Sequence, residues 1–245
     1  MRALLEDLML YMAGATHSPI VQAALVHAQF ETIHPFPDGN GRVGRALIHT
    51  VLTRRGLNSE AILPVSLVLA TLQDEYIAGL GAFRVEGGAE SAQVFEAYET
   101  WISTFADAVR LAAEQAADLE RRLGELRQAW SQVISDARQV EGRVRAAPRD
   151  SALSMILDAL PGTPVLTTST VTRMHGVTTT AAQNALPQLA DYGVLDRISI
   201  GRAQRAYVSL DVLHLITRSE RAMASRDFDT ASSPPVRPAP ARPQR

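Results

Sequence analysis

The 245-residue sequence contains no cysteine, and all 24 of its basic residues are arginine. The absence of cysteine excludes a thiol nucleophile, a disulfide and a cysteine-ligated zinc site. The absence of lysine excludes a phosphate-binding loop of the GxxxxGK type and a Schiff base. Any chemistry on phosphate groups must therefore depend on arginine, backbone amides or a metal ion.

The chain has little net charge and no long hydrophobic run. Its formal charge of -2 argues against a nucleic-acid footprint along the whole chain and leaves only local basic patches. Apolar runs such as residues 62–70 are too short to cross a bilayer. Glu6 and Asp7 interrupt the first apolar stretch, which is unlike a signal peptide. We expect a cytoplasmic protein that makes no contact with membranes.

Helical periodicity dominates the first hundred residues. Apolar residues recur there at three- and four-residue steps, and no strand pattern of any length precedes residue 160. Gly56 ends one periodic segment in the manner of a C-cap glycine. We predict an all-α domain over residues 1–104. The predicted helices span residues 4–12, 19–30, 41–56, 65–83 and 92–105.

A heptad repeat follows over residues 105–149, which we predict to form a long helical connector. Its apolar residues alternate at four- and three-residue steps, as the a and d positions of a coiled coil do. Such a seam either docks on its own domain or pairs with a second copy in a homodimer, and the sequence leaves both open. The seam residues are Phe105, Val109, Ala112, Ala116, Leu119, Leu123, Leu126, Trp130, Val133, Ala137, Val140 and Val144.

Residues 150–217 show the order helix, helix, turn, helix and two-stranded hairpin, with Gly176 and Gly201 in the turns. This order is typical of a winged helix-turn-helix, a small α+β domain. Residues 218–245 are rich in arginine and proline and poor in apolar residues, so we predict a disordered tail. The predicted fold class of the whole chain is mainly α.

The predicted winged helix-turn-helix has few side chains suited to DNA. Its recognition stretch, residues 178–193, contains no arginine, and over residues 151–217 four arginines balance four aspartates. Amide side chains can read base edges, and arginines near a wing can contact phosphates. The domain therefore fits either DNA binding or protein docking and dimerisation. The candidate DNA-contacting residues are Gln183, Asn184, Arg202 and Arg205.

Residues 34–45, HPFPDGNGRVGR, combine a loop with the start of a helix. A helix N-terminus presents unpaired backbone amides and a positive dipole end, and Gly39 and Gly41 let a phosphate approach that backbone closely. Asp38 would repel the phosphate unless a divalent cation lay between them, and Mg²⁺ prefers a carboxylate together with phosphate oxygens. The string therefore predicts a lysine-free site for a metal nucleotide.

Three further side chains complete the predicted site. Arg42 and Arg45 are three residues apart on the first helical turn, so both guanidinium groups can reach the same polyphosphate. His34 belongs to a residue type whose ordinary pKa of ~6.5 suits a general base at neutral pH. Together these residues predict that a hydroxyl nucleophile, deprotonated by His34, attacks a phosphoryl group.

The string from His34 to Arg45 resembles the Fic motif, HxFx(D/E)GNGRxxR, at every fixed position. The resemblance extends through residues 27–33 and 63–80 and covers roughly residues 1–105. It implies an all-α domain that transfers AMP from ATP to a serine, threonine or tyrosine hydroxyl of a protein and releases pyrophosphate. The chain is also similar to Fic proteins that carry a C-terminal winged helix.

The resemblance implies a role for each motif residue. His34 would take the hydroxyl proton, and Asp38 would hold Mg²⁺. Phe36 would be a buried anchor that fixes the loop. Tyr76 would lie near the base pocket or serve as an ordinary core tyrosine.

The resemblance also implies how the nucleotide is bound. Gly39, Asn40 and Gly41 would bind the α- and β-phosphates, and Arg42 and Arg45 would bind the β- and γ-phosphates. Doc-type relatives that phosphorylate carry an Ala-Asn-Lys variant, which a lysine-free chain cannot supply, so AMP transfer is favoured. UTP or another diphosphate-containing donor stays open.

Two departures from the family pattern bear on activity. Fic domains carry an upstream β-hairpin flap that aligns the target by strand addition, whereas only 33 residues precede His34. We therefore expect an absent or truncated flap and a chain that begins inside its first domain. The inhibitory pattern (S/T)xxxE(G/N) does not occur in the sequence. The leading interpretation is a protein adenylyltransferase, and the alternative is a DNA-binding regulator or adaptor whose Fic domain binds a nucleotide without catalysis.

Overall fold

The computed structural model describes residues 1–57, 63–88, 90–142, 148, 150–200 and 204–225. These residues divide into a first unit, which joins residues 1–117 with the C-terminal residues from Arg221, and a second unit, residues 118–220. The prediction of a mainly α chain is confirmed. In chain order the elements are α1 (Arg2–Ala13), α2 (Pro19–Ile33), α3 (Asn40–Arg54), α4 (Val65–Thr71), α5 (Gln73–Phe83), α6 (Ala92–Val140), α7 (Ala152–Ala159), β1 (Val165–Leu166), α8 (Thr168–His175), α9 (Thr179–Asp191), β2 (Asp196–Ile200), β3 (Gln204–Val208) and α10 (Leu210–Met223).

Helices α2 and α3 form the centre of the first unit. Helix α2 begins at Pro19 because the hydroxyl of Ser18 accepts a hydrogen bond from the Val21 amide and proline fits the first turn. The carbonyl of Ala24 accepts a hydrogen bond of 2.8 Å from the indole of Trp101, which is fully buried. Burial of α2 and α3 therefore holds the loop between them at both ends.

Two predictions about helix limits in the first unit are wrong. The helix predicted over residues 65–83 is split at Leu72, whose ψ of 47° leaves the helical region without a glycine or proline to signal it. Helix α10 continues to Met223, which is buried and whose carbonyl accepts a hydrogen bond from the Thr71 hydroxyl. Residues 218–223 are therefore helical rather than a disordered tail, and residues 226–245 lie outside the described residues.

Helix α6 is continuous over 49 residues, so the predicted boundary near residue 105 falls inside a helix. Trp101 and Phe105 are buried in the first unit, and Trp130 and Ile134 are buried in the second. Within the fully described stretch 113–129, no residue is buried. One helix thus contributes to both hydrophobic cores.

The predicted heptad seam fails towards the end of α6. Val133 and Val140 are 45% and 91% exposed, whereas Ile134, which is outside the seam, is 7% exposed. A straight helix has 3.6 residues per turn, so a strict seam of 3.5 drifts off the buried face. The last seam residue, Val144, lies outside the described residues. Pairing of two copies along the seam stays a prediction.

The second unit contains the predicted order of helices followed by a hairpin. Helix α8 begins at Thr168 and ends at His175 because Thr167 and Thr170 form a capping box and Gly176, in the predicted turn, adopts a left-handed φ of 64°. The sheet has the order β1-β3-β2 with antiparallel pairs throughout, and the two-residue strand β1 was not predicted. That this unit works as a winged helix-turn-helix stays a prediction.

No helix among the described residues combines the length and apolar composition that a membrane span needs.

Candidate functional site

The loop between α2 and α3 carries the predicted catalytic residue in an unusual conformation. His34 has φ 47° and ψ 58°, and its amide donates a hydrogen bond of 3.0 Å to the Phe30 carbonyl. Among the described residues, His34 alone combines a positive φ with a side chain larger than that of glycine. A left-handed conformation costs such a residue roughly 1–2 kcal/mol, and strained residues of this kind cluster at functional sites. The imidazole is exposed.

Asn40, the first residue of α3, holds this loop in place. It is 3% exposed; its Oδ1 accepts a hydrogen bond of 3.0 Å from the Phe36 amide, and its Nδ2 donates one of 2.5 Å to the Phe36 carbonyl. An amide side chain supplies the donor and the acceptor that this pairing needs. Sequence reasoning assigned Asn40 to a phosphate and missed this structural role.

The prediction that Phe36 is a buried anchor is wrong. Its side chain is 46% exposed, and its ring lies at the edge of the core with its centroid 6.2 Å from that of Phe30. The backbone of Phe36 is held instead, by Asn40. The loop is therefore fixed by hydrogen bonds rather than by burial of the phenylalanine ring.

Two arginine side chains lie against the glycines at the start of α3. A Cβ atom on Gly39 would lie 3.3 Å from Nη2 of Arg42, and one on Gly41 would lie 3.4 Å from Nη1 of Arg45. Gly39 also has a φ of 87°, which favours glycine. The structure thus brings both predicted phosphate-binding arginines to the N-terminus of α3, where free amides and the helix dipole attract anions.

Asp38 lies at the exposed edge of the same loop. Its Oδ1 accepts a hydrogen bond of 2.7 Å from the Gly39 amide, and its Oδ2 lies 3.5 Å from Nη2 of Arg42. Both side chains of this ion pair are largely exposed, so it contributes roughly 0–1 kcal/mol. Among the described residues no group of three or more His, Cys, Asp or Glu could hold a metal. Asp38 thus offers one exposed carboxylate, and its role as a Mg²⁺ ligand stays a prediction.

A buried polar pair lies behind the motif, and sequence reasoning missed its first member. The Nε2 of His27 lies 3.0 Å from the hydroxyl of Tyr76, and the His27 ring stacks on Trp101 with centroids 6.1 Å apart. Burial, aided by the charge of Arg45 and opposed by the nearby polar backbone of Gly44, lowers the pKa of His27 to about 4. His27 is therefore neutral at pH 7.

Tyr76, the weaker candidate for nucleotide binding, is partly buried and directs its hydroxyl to His27. Burial and the nearby carboxylate of Glu31 raise the pKa of Tyr76 to about 12, although Arg45 and Arg84 oppose the shift. The phenol therefore stays protonated at neutral pH. Its role as a nucleotide ligand stays a prediction.

Gly44 marks a tight approach between α2 and α3. A Cβ atom there would lie 2.5 Å from Oε1 of Glu31 and 3.1 Å from Nδ1 of His27. His27 and Glu31 are four residues apart and so share one face of α2. This i,i+4 pair of titratable residues just before the motif, with a glycine inside the following helix, is the signal that could have found the cluster.

The candidate DNA-contacting residues are only partly brought together. Gln183 and Arg205 are exposed and line one groove of the second unit. Asn184 is exposed on α9 but does not line that groove. Arg202 lies outside the described residues.

Comparison with known proteins gives several matches to the N-terminal segment of the chain, which contains the motif. A sequence model described as the Fic/DOC family matches residues 1–52. A probable protein adenylyltransferase of Aquifex aeolicus is 53% identical over 38 residues, which are 16% of this chain and 12% of that protein. The protein adenylyltransferase fic-1 of Caenorhabditis elegans is 38% identical over 69 residues, 28% and 13% of the two chains. The protein adenylyltransferase Fic of Drosophila melanogaster is 50% identical over 43 residues, 18% and 9%.

A solved structure of a Fic family protein from Desulfovibrio desulfuricans G20 is 22% identical and covers 84% of this chain and 54% of that one. Its TM-score of 0.37 is too low for the two folds to be compared element by element. The matched segments span between 9% and 13% of the length of the three adenylyltransferases. The family match nevertheless contains α1, α2 and the whole string from His34 to Arg45. The N-terminal segment of this chain is therefore similar to Fic/DOC family proteins, and these matches identify the chain as a Fic domain protein.

Proposed function

We propose that this protein is a protein adenylyltransferase, which transfers AMP from ATP to a serine, threonine or tyrosine hydroxyl of a target protein. One observation carries the proposal. The guanidinium groups of Arg42 and Arg45 lie against Gly39 and Gly41 at the start of α3. The loop that precedes this helix presents the exposed side chains of His34 and Asp38. The adenylyltransferase names of the matched relatives support it.

The nucleotide phosphates would bind at the N-terminus of α3. The backbone amide of Gly41 would hold the α- and β-phosphates, joined by that of Gly39 once a phosphate oxygen replaces Oδ1 of Asp38 as its acceptor. The positive end of the helix dipole would aid both contacts. Arg42 and Arg45 would bind the β- and γ-phosphates through charge-assisted hydrogen bonds. Because the two arginines remain bound to the departing pyrophosphate, they would stabilise the charge that develops on it.

His34 would act as the general base. It takes the proton of the target hydroxyl while the hydroxyl oxygen attacks the α-phosphorus of ATP, and the bond from that phosphorus to the bridging oxygen of the β-phosphate breaks. The products are an AMP-modified side chain and pyrophosphate. A Mg²⁺ ion held by Asp38 would neutralise charge on the phosphate oxygens. Asn40 would keep the loop fixed through Phe36 during the reaction.

The position of the radiolabel in ATP tests the proposal. The protein is incubated with Mg²⁺, a cell lysate as the source of target hydroxyls, and ATP labelled at either the α- or the γ-phosphate. Kinases of the lysate transfer the γ-phosphate by themselves, so the readout is the label that this protein adds relative to lysate alone. We expect added label from the α-labelled nucleotide only. His34→Ala should abolish labelling, whereas His214→Ala, which removes an exposed histidine from α10, should not. Label from γ-labelled ATP above the level of lysate alone, or undiminished α-label transfer by His34→Ala, contradicts the proposal.

Two further measurements separate the alternatives. α-Labelled UTP in parallel identifies the donor nucleotide. ATP binding by isothermal titration, with no transfer of label to any protein of the lysate, supports a nucleotide-binding scaffold in a DNA-binding regulator or adaptor. The convergence of His34, Asp38 and two arginines favours the enzyme, because a scaffold has no need of a base.

A further inference from the structure

A groove of about 740 Å³ lies within the second unit, between α8, α9 and strand β3. Its polar lining consists of five serine or threonine side chains, Gln183 and two arginines, Arg173 and Arg205. Pro187 and Tyr207 complete the lining, and Tyr207 is only 5% exposed. The surface of the groove therefore combines many hydrogen-bonding groups with the apolar surfaces of Pro187 and Tyr207.

Positive charge is concentrated in this groove although the surrounding sequence is neutral. Residues 151–217 contain four arginines and four aspartates. Arg173 and Arg205 both line the groove, and none of the four aspartates does. Arg197 is neutralised elsewhere by an ion pair of 2.6 Å with Asp191. Because two arginines line the groove and no aspartate does, the groove has a positive electrostatic potential although the formal charge of residues 151–217 is zero.

The two groove arginines have their charges available for a ligand. Both side chains are exposed, and neither makes an ion pair with a described residue. Guanidinium groups of this kind, together with serine and threonine hydroxyls, are the usual protein contacts to phosphate oxygens. The groove chemistry thus points to a chain of phosphates.

The neighbouring helix distinguishes among polyanions. Gln183 lines the groove and Asn184 is exposed beside it on α9, the second helix of the α8-turn-α9 pair, so two amides that can pair with adenine edges accompany the phosphate contacts. The narrow major groove of A-form RNA does not admit a helix. An acidic protein would present carboxylates to the arginines but no row of base edges for the two adjacent amides of α9 to read.

We propose that this groove binds the phosphate backbone of duplex DNA, with the Gln183–Asn184 face of α9 directed into the major groove. Arg173 and Arg205 contact phosphates, and the hydroxyl side chains between them fix the position of the backbone. The proposal is independent of adenylyl transfer by the first unit.

Fluorescence anisotropy of the full chain with a fluorescein-labelled duplex of mixed sequence tests the proposal. Two phosphate contacts predict that raising the salt from about 50 mM to about 200 mM weakens binding roughly tenfold. The double variant Arg173→Ala/Arg205→Ala should bind about tenfold more weakly at low salt and lose most of that salt dependence. The matched control, Arg127→Ala/Arg218→Ala, removes two exposed arginines of the same unit that do not line the groove, and it should bind as the parent does.

Three results would overturn the proposal. The first is the absence of duplex DNA binding at about 50 mM salt. The second is an equal loss of DNA affinity in the groove variant and in its control. The third is binding of duplex RNA that is as tight as that of DNA and is weakened by the same substitutions. Circular dichroism of each variant excludes unfolding as the cause of a loss. Gln183→Ala provides an independent check, because it leaves the charge unchanged and should reduce discrimination among duplex sequences more than overall affinity.

Discussion

The imidazole Nε2 of His27 lies 3.0 Å from the hydroxyl of Tyr76, and both groups are uncharged at neutral pH. The pair bridges α2 and α5 behind the motif loop. Because the pKa of His27 is lowered from 6.5 to about 4, this histidine resists protonation as long as the protein is folded.

Protonation of His27 should make stability depend on pH. Between pH 6.5 and about 4 the unfolded chain binds a proton at this residue and the folded protein does not, so the free energy of unfolding rises with pH across that window. The stabilisation is complete above pH 6.5 and is lost as the pH falls through about 4. We expect urea denaturation to show roughly 2 kcal/mol less stability at pH 5 than at pH 7.5 from this group alone.

The variant His27→Gln isolates that effect because glutamine keeps hydrogen-bonding groups but does not titrate. The difference in stability between the two pH values should shrink by roughly 2 kcal/mol in the variant. An identical pH dependence in parent and variant would show that His27 is not the responsible group.

Gly44→Ala should destabilise the first unit, since the new methyl group would lie 2.5 Å from Oε1 of Glu31. We expect a loss of about 1–3 kcal/mol in chemical denaturation. Gly81→Ala is the matched control, because that glycine lies inside α5 with no atom within 4 Å of the new Cβ. It should stabilise the protein by about 0.5–1 kcal/mol. Similar effects from both substitutions would contradict the tight approach at Gly44.

Asn40→Asp should weaken the motif loop although it changes almost nothing in size. A carboxylate cannot donate to the Phe36 carbonyl and would be nearly buried without a cation, so we expect a loss of about 2–4 kcal/mol. Asn184→Asp makes the same chemical change at an exposed position of α9 and should alter stability by less than about 0.5 kcal/mol. Thermal unfolding of both variants in parallel checks this, and equal melting temperatures would contradict it.

Phe36→Ala should cost little, because almost half of the ring is exposed. We expect a loss below about 1.5 kcal/mol, against about 3–5 kcal/mol for Phe105→Ala, whose ring is fully buried. A large loss on removal of the Phe36 ring would restore the anchor role that the motif resemblance assigned to it. Denaturant midpoints with unchanged slopes are the measurement needed.

Local sequence signals predicted the helix limits that are set by capping residues and prolines. The limits of α8 follow from Thr167 and Gly176, and the start of α2 follows from Ser18 and Pro19, because caps and prolines act within a few residues. The break at Leu72 has no such signal. Its backbone leaves the helical region at a residue with ordinary helix propensity, so tertiary packing decides there.

In the candidate site, residue type and spacing predicted the chemistry of the side chains that face outward but not the contacts made by those that face inward. His34, Asp38, Arg42 and Arg45 are exposed, and their chemistry can be read from residue type and spacing. The contacts of Asn40 with Phe36 and of His27 with Tyr76 depend on where the backbone turns and which helices meet. The second pair is 49 residues apart in sequence, a separation over which periodicity carries no information.

The two tryptophans of the chain both lie on α6, and each is buried in a different core: Trp101 in that of the first unit and Trp130 in that of the second. The protein therefore carries one tryptophan fluorophore for each unit, which can be excited selectively over the tyrosines. Replacing either tryptophan with phenylalanine leaves an emission signal that follows the other unit alone. Comparing the melting curves of the two variants would reveal whether the shared helix makes both units unfold in one transition or lets them unfold in two.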